Sequence, residues 1–181
     1  DVPMYRGNPT RDGVMPGPGP AGSPVELWKV PLPGRITTSV AVSNGVIFAR
    51  TENGVLGAFD AITGTKLWSV ATGGTEETWP TAANGLVYVG IDDGNLLAYD
   101  AVSGEQEWSY DAGGRSNVTE PVDGVLYGSS TSGVAFAIDA KTSEQHWRTE
   151  ITTDSLRGPA LADEILYFTS NGPSGAVYAL D

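Results

Sequence analysis

Several stretches of this chain hold residue types that could do chemistry. Asp92-Asp93-Gly94-Asn95 sets two carboxylates and an amide around a glycine, as at the start of a calcium-binding loop. Such a loop needs acceptors at alternate positions and a closing glutamate. Neither is present, and Asp-Gly is a strong hairpin-turn signal, so a hairpin tip is expected. His146 is the only histidine. No serine or cysteine stands at a spacing that would make it a general base, and its place beside Trp147 reads as the surface of an outer strand. Glu76-Glu77 could share a proton, but adjacent acidic residues in a loop are ordinarily solvated. Asn117-Val118-Thr119 matches a glycosylation acceptor, a pattern common by chance. The chain has no cysteine, which removes disulfides, thiolate metal sites and cysteine nucleophiles together. No catalytic, cofactor-binding or metal-binding residue is expected.

The formal charge of -12 argues against nucleic acid and anionic membrane surfaces, which require a clustered cationic face. No stretch approaches the eighteen or so apolar residues of a membrane span, so direct membrane insertion is not expected. The first residue is Asp1 rather than Met, as in a product trimmed of a targeting segment. At 40% hydrophobic and 18% charged residues in a chain of 181, the composition is that of an ordinary globular domain. Its aromatic and β-branched residues fall in short runs between turn residues, which favours an all-β fold.

The elements that must position any site come from a repeat. Leu97-Ala98-Tyr99-Asp100-Ala101-Val102-Ser103-Gly104-Glu105-Gln106-Glu107-Trp108 recurs from Gly57 to Trp68 and from Phe136 to Trp147, and a fourth copy starts as Tyr178-Ala179-Leu180-Asp181. Trp28, Trp68, Trp108 and Trp147 stand 40, 40 and 39 residues apart. Periods near 40 with glycine-bearing hairpin turns and no 3.6-residue periodicity identify four-stranded propeller blades rather than helical repeats. Blades are expected near 35–70, 75–110, 115–150 and 156–181. Val25-Glu26-Leu27-Trp28-Lys29-Val30 would complete the last blade, within one chain or by exchange between two. Residues 1–24, with Pro16-Gly17-Pro18-Gly19-Pro20, form an arm that Met4, Tyr5 and Val14 could anchor.

The local grammar is explicit. Asn44-Gly45, Asn84-Gly85 and Asp123-Gly124, and likewise Asn53-Gly54, Asp93-Gly94 and Ser132-Gly133, predict type I′ turns with positive φ at both central residues. Asp163-Glu164 and Asn171 to Gly175 take these places in the fourth unit. Asp60, Asp100 and Asp139 are expected to cap the next turn, whose left-handed place is Gly64, Gly104 and, exceptionally, Ser143. Repeated alanines at 58, 98, 137 and 179 predict close approach of neighbouring blades. Trp28, Trp68, Trp108 and Trp147 cover the junctions, so they read as structural.

With the motif Ala-x-Asp-Ala-x-Thr/Ser-Gly-x-x-x-Trp in register over residues 25–181, the chain resembles the pyrroloquinoline-quinone-like β-propeller family, which includes quinoprotein dehydrogenases and the assembly lipoprotein BamB. Met4-Tyr5-Arg6-Gly7-Asn8-Pro9 is similar to the segment before the first blade in bacterial members. The resemblance implies the fold, tryptophan-mediated docking and an extracytoplasmic location, periplasmic or at the cell surface. It does not imply the cofactor, because the calcium-coordinating set, catalytic aspartate and adjacent cysteines of the dehydrogenases have no match. Family propellers have seven or eight blades and this chain encodes four. A closed four-bladed ring, an eight-bladed ring of two exchanged chains and the front half of a longer protein are therefore all open.

Breaks in the repeat point to binding. Trp79 aligns with Ser39, Val118 and Gly158, so the blade does not require it. Arg35, Arg115 and Arg157 fall in the links between blades, and Trp with Arg is the composition of an interface hot spot. The function expected is a non-catalytic scaffold for protein partners, with self-association through its arm and blade edges as one mode. A small-ligand sensor domain of a membrane-anchored protein and a partial quinoprotein dehydrogenase are the alternatives.

Overall fold

In the computed structural model, which describes residues 9, 22–74, 78–173 and 175–181, each repeat folds as a run of short antiparallel strands. The first blade holds β1 (Ala41–Ser43), β2 (Val46–Arg50), β3 (Val55–Asp60) and β4 (Lys66–Ala71). The second holds β5 (Thr81–Ala83), β6 (Leu86–Gly90), β7 (Asn95–Asp100) and β8 (Gln106–Asp111). The third holds β9 (Ser116–Val118), β10 (Val125–Ser130), β11 (Val134–Asp139) and β12 (Gln145–Glu150). The fourth holds β13 (Leu156–Ala162), β14 (Ile165–Ser170) and β15 (Val177–Leu180). Every sheet runs in sequence order, so the chain is an all-β propeller of four blade repeats.

The expected fourth strand of the last blade is not formed. That sheet has three strands, and residues 25–30 pair with none of them. Trp28 is instead held on the first blade. The arm outside Pro9 and residues 22–24 lies beyond the described residues, as do Met4, Tyr5, Val14 and Glu76-Glu77.

Turn chemistry explains the strand boundaries. Asn44, Asn84 and Asp123 have φ of 50°, 54° and 50°, and the glycine after each is also positive, as a two-residue hairpin needs to match strand twist. Asp163 and Glu164 adopt the same conformation at 50° and 65° without a glycine. The second hairpin of each blade differs from expectation. There only Gly54, Gly94 and Gly133 are positive, and the Gly54 N–H donates to Thr51 O at 3.0 Å. A single left-handed residue closing a wider loop suffices, so Asn53, Asp93 and Ser132 need no unusual φ.

Cross-strand register explains the alanines. Phe48, Ala58 and Trp68 lie side by side across β2, β3 and β4. So do Tyr88, Ala98 and Trp108, and Tyr127, Ala137 and Trp147. In each row the outer rings approach over the alanine, with centroids 6.0, 5.7 and 6.4 Å apart. A larger middle residue would push them apart. Each row buries against the following blade, giving continuous apolar clusters between blades one and two, two and three, and three and four.

Candidate interaction surface

Blade docking is built from one turn and one ring. The Asp60 carboxylate accepts the N–H groups of Ile62 and Thr63 at 3.1 and 2.7 Å. Asp100 accepts those of Val102 and Ser103 at 3.0 and 2.7 Å, and Asp139 those of Lys141 and Thr142 at 2.9 and 2.7 Å. The Thr63 and Thr142 hydroxyls also donate, to Asp60 and Asp139 at 2.8 and 2.9 Å, and together these bonds hold all three carboxyls below their ordinary range, led by the Thr63 hydroxyl for Asp60, the Ser103 N–H for Asp100 and the Thr142 N–H for Asp139. The tryptophan of the preceding repeat closes on the turn. Trp68 Nε1 donates to Ala101 O at 3.0 Å, and Trp28 Nε1 to Ala61 O at 3.3 Å. A β-carbon on Gly64 or Gly104 would fall 2.7 Å from the Trp28 or Trp68 ring, so those glycines serve both the positive φ and the close approach.

At the third junction the pattern changes. Ser143 holds φ of 62° and puts a side chain where the first two junctions have none. Trp108 Nε1 is buried without a partner, and the Tyr88 hydroxyl donates to Ala140 O at 3.2 Å instead.

The proposed recognition residues lie at the opposite end of the blades, where the links between repeats run. Arg35 O and Arg115 O accept the N–H groups of Glu52 and Thr131, so these two arginines occupy equivalent places. The third equivalent is Ser155, which accepts from Asn171. Arg157 lies two residues further, inside β13 opposite Thr169. The Arg35 side chain is exposed and pairs with Glu52 at 3.7 Å. Burial, with the nearby charge of Arg157, pushes the Arg115 guanidinium down from its ordinary value, so those two arginines share one neighbourhood. Trp79 is half-buried just before β5. By register its equivalents are Ser39 and Asn117, one place earlier in the third blade than sequence alignment suggests.

Arg50 is a residue that sequence reading missed. It is 2% exposed at the end of β2, where the other blades have Gly90, Ser129 and Thr169. Its guanidinium donates to Thr72 Oγ1 at 3.4 Å, Thr78 Oγ1 at 3.4 Å and Gly73 O at 3.1 Å, tying the link between blades one and two. Burial pushes it down, while Asp92 and Tyr99 act in the other direction. The signal was available as a break in the repeat, a cation at the end of a strand that elsewhere carries small neutral residues.

The Asp93 carboxylate accepts the Asn95 N–H at 2.9 Å, which makes Asp92-Asp93-Gly94-Asn95 a self-capped hairpin tip. His146 is exposed on β12. The innermost strands β1, β5 and β9 carry alanines, valines, the hydroxyls of Ser43, Thr81 and Ser116 and the amide of Asn117, with no carboxylate among them. Among the described residues no three carboxylate, histidine or thiol side chains gather.

The fourth blade carries the most accessible binding geometry. Ser170 N–H donates to Ala176 O, so by alternation the N–H and C=O of Val177 and Ala179 point away from β14. Among the described residues no strand covers that edge, and Val177 is 76% exposed. Tyr167 and Ala179 pair across β14 and β15 as Phe48 and Ala58 do, and no described residue takes the tryptophan's place in their row. At the Leu180–Asp181 end of this strand a cavity of about 980 Å³ opens between blades three and four, lined by Pro9, Tyr127, Trp147, Leu161, Leu166 and Leu180 and rimmed by Asp123, Asp163 and Asp181, and the Pro9 carbonyl there accepts the Leu161 N–H at 3.0 Å. The cavity lies where Trp147 would close on a turn, as Trp68 closes on Ala101 and Gly104.

Comparison with known proteins agrees with this architecture. No curated protein matches the chain. The structure of BamB from Moraxella catarrhalis superposes with a TM-score of 0.75 at 22% identity, over 86% of this chain and 49% of that one. The computationally designed Ika4 protein superposes with a TM-score of 0.75 at 15% identity, over 87% and 98% of the respective chains. A quinohemoprotein alcohol dehydrogenase from Pseudomonas putida HK5 gives 0.62 at 20% identity, over 79% and 29%. The chain thus spans about half the length of the BamB it matches. The family model described as outer membrane protein assembly factor BamB matches residues 22–123 and 114–181, and the chain belongs to that family.

Proposed function

We propose that this chain is a non-catalytic, extracytoplasmic protein-interaction scaffold that captures an extended segment of a partner along β15. The observation that carries the reading is the edge at Val177 and Ala179, which no described strand pairs, leading to the apolar cavity between Leu180 and Trp147. An exposed strand edge supplies main-chain hydrogen bonds to an added strand, and an adjoining pocket supplies side-chain specificity. Membership of the BamB family supports an assembly role and an extracytoplasmic setting.

The reading is tested with a peptide of residues 61–71, which carries one turn and one outer strand of this repeat and a lysine suited to an acidic host. Calorimetry is expected to give one saturable site that Val177→Pro removes, because proline deletes the outward N–H without touching the β14 pairing. Binding unchanged in Val177→Pro would place the site elsewhere and contradict the reading.

A second surface is proposed at Trp79, Arg35, Arg115 and Arg157, supported by the equivalent placement of Arg35 and Arg115 on the links at that end of the blades. Cationic side chains on the links of a chain of net charge -12 suit a carboxylate-bearing partner.

A further inference from the structure

At each blade junction the tryptophan of one repeat closes on the turn of the next, and two positions flank that contact on the outside. One is the residue just before the tryptophan, which is Leu27, Leu67, Glu107 and His146 in successive repeats. The other is the second residue after the turn aspartate, which is Ile62, Val102 and Lys141. The two positions face one another across a junction, since Glu107 and Lys141 line the same cavity of about 620 Å³ between blades two and three. Leu67 and Val102 are their counterparts between blades one and two. Leu27 and Ile62 are the counterparts at the seat of Trp28 on blade one.

These places are open to solvent, so the fold sets no demand for an apolar side chain there. The third junction accordingly holds a carboxylate and an ammonium. The two earlier ones hold aliphatics instead: Leu27 is 81% exposed, Ile62 81%, Leu67 50% and Val102 85%. Single exposed aliphatics are ordinary. Pairs repeated at successive junctions form a stripe along the turn end of blades one and two, and a contiguous apolar stripe marks an interaction surface. It lies at the end of the blades away from Arg35 and Arg115 and does not involve β15.

Charge around the stripe selects the partner. Glu26 stands beside Leu27, Asp60 and Asp100 stand two places before Ile62 and Val102, and Glu105 three places after Val102, against Lys29 and Lys66. A second copy of this chain would bring the same excess of carboxylates and a charge of -12 to the contact, and an anionic lipid surface would be repelled likewise. A cationic segment is attracted.

We infer that this stripe docks a basic amphipathic segment of a partner protein, aliphatic on one face and flanked by lysine or arginine, seated on Ile62, Leu67 and Val102. The aliphatics supply the contact area that leaves water, and the carboxylates around them supply orientation and on-rate. The surface is separate from the β15 edge, and neither reading depends on the other.

Calorimetric titration of the 181-residue chain with an amphipathic leucine–lysine helix of about 14 residues, and with a scrambled peptide of the same composition, tests this. The amphipathic peptide is expected to fill one saturable site and the scrambled one none. Leu67→Glu combined with Val102→Lys copies the third junction into the first and keeps the net charge. It is expected to leave the melting temperature unchanged and to weaken the peptide about 10-fold or more. Ile62→Thr alone is expected to weaken it about 3-fold. No saturable binding, equal binding of the two peptides, or unchanged affinity in both variants would each overturn the proposal. So would a dimer in light scattering that the paired substitution dissolves, which would make a second copy the occupant. Flotation with phosphatidylcholine vesicles that the same substitution abolishes would overturn it in favour of a lipid surface.

Discussion

The Tyr88 hydroxyl donates to the Ala140 carbonyl at 3.2 Å, taking the acceptor that at the two earlier junctions belongs to an indole N–H. Phe48 stands at the equivalent place in blade one and has no hydroxyl to offer. The cost falls on Trp108, whose Nε1 is buried without a partner. Tyr88→Phe frees the acceptor for Trp108, so the loss of one hydrogen bond is offset by the gain of another. The expected change in unfolding free energy is within about 1 kcal/mol, with a shift in the fluorescence of Trp108 as the confirming signal. A loss of about 3 kcal/mol or more in chemical denaturation would show that Trp108 cannot take the bond.

Ser143 and Glu164 hold φ of 62° and 65°, where a β-carbon is strained. Ser143→Gly and Glu164→Gly are each expected to stabilise by about 0.5–1 kcal/mol, the relief of strain being partly offset by the freer unfolded chain. Thermal melts check this, and a lower Tm for Ser143→Gly would mean the serine makes a compensating contact. Combined with Tyr88→Phe, Ser143→Gly should be non-additive, because both changes act on the seat of Trp108.

The converse change is more damaging. Gly104→Ala forces a side chain at φ of 75° and sets its methyl 2.7 Å from the Trp68 ring. The expected loss is about 2–3 kcal/mol in denaturant titration. A loss of less than about 1 kcal/mol would mean the ring has room to retreat.

Stability should be level near neutral pH and fall at both extremes. Below the ordinary carboxyl value of 3.8, Asp60, Asp100 and Asp139 take up protons and lose the turn bonds that hold their folded values low. At the alkaline end, burial pushes the Tyr88 hydroxyl above its ordinary 10.0. Its contribution is therefore complete below pH 10 and is lost as pH rises further. Burial also raises Tyr99, partly offset by Arg50. Melting temperature against pH should show Tyr88→Phe flattening the alkaline limb without abolishing it. An alkaline limb unchanged in Tyr88→Phe would contradict the assignment.

Replacing both Arg115 and Arg157 by Gln is expected to weaken an acidic partner peptide about 10-fold or more at low salt and less at high salt. Trp79→Ala should lower affinity with less dependence on salt. Calorimetric titration of the two variants distinguishes them, and unchanged affinity in both would remove this surface from the account.

The 40-residue spacing of tryptophan and aspartate made the propeller legible, because each blade can bury its face only on the next and the burying residues must recur. The caps at Asp60, Asp100 and Asp139 and the strained Ser143 were equally legible, since local geometry follows from local sequence. The aromatic rings meeting over Ala58, Ala98 and Ala137 were not, because that relation depends on register across three strands. Nor was the place of Arg157, shifted by the irregular pairing between Arg157 and Ala160. The segment 25–30 was identified as a missing outer strand, yet it sits on blade one rather than beside β15. Pairing is a choice among partners that sequence periodicity does not rank.

Hydrogen exchange at the amides of Val177 and Ala179, with and without the 61–71 peptide, tests the strand-accepting edge most directly. The account predicts rapid exchange alone and strong protection on binding, with the amides of β11 protected throughout. Exchange at Val177 and Ala179 that stays rapid with peptide bound, or that is already slow in the isolated chain, would contradict it.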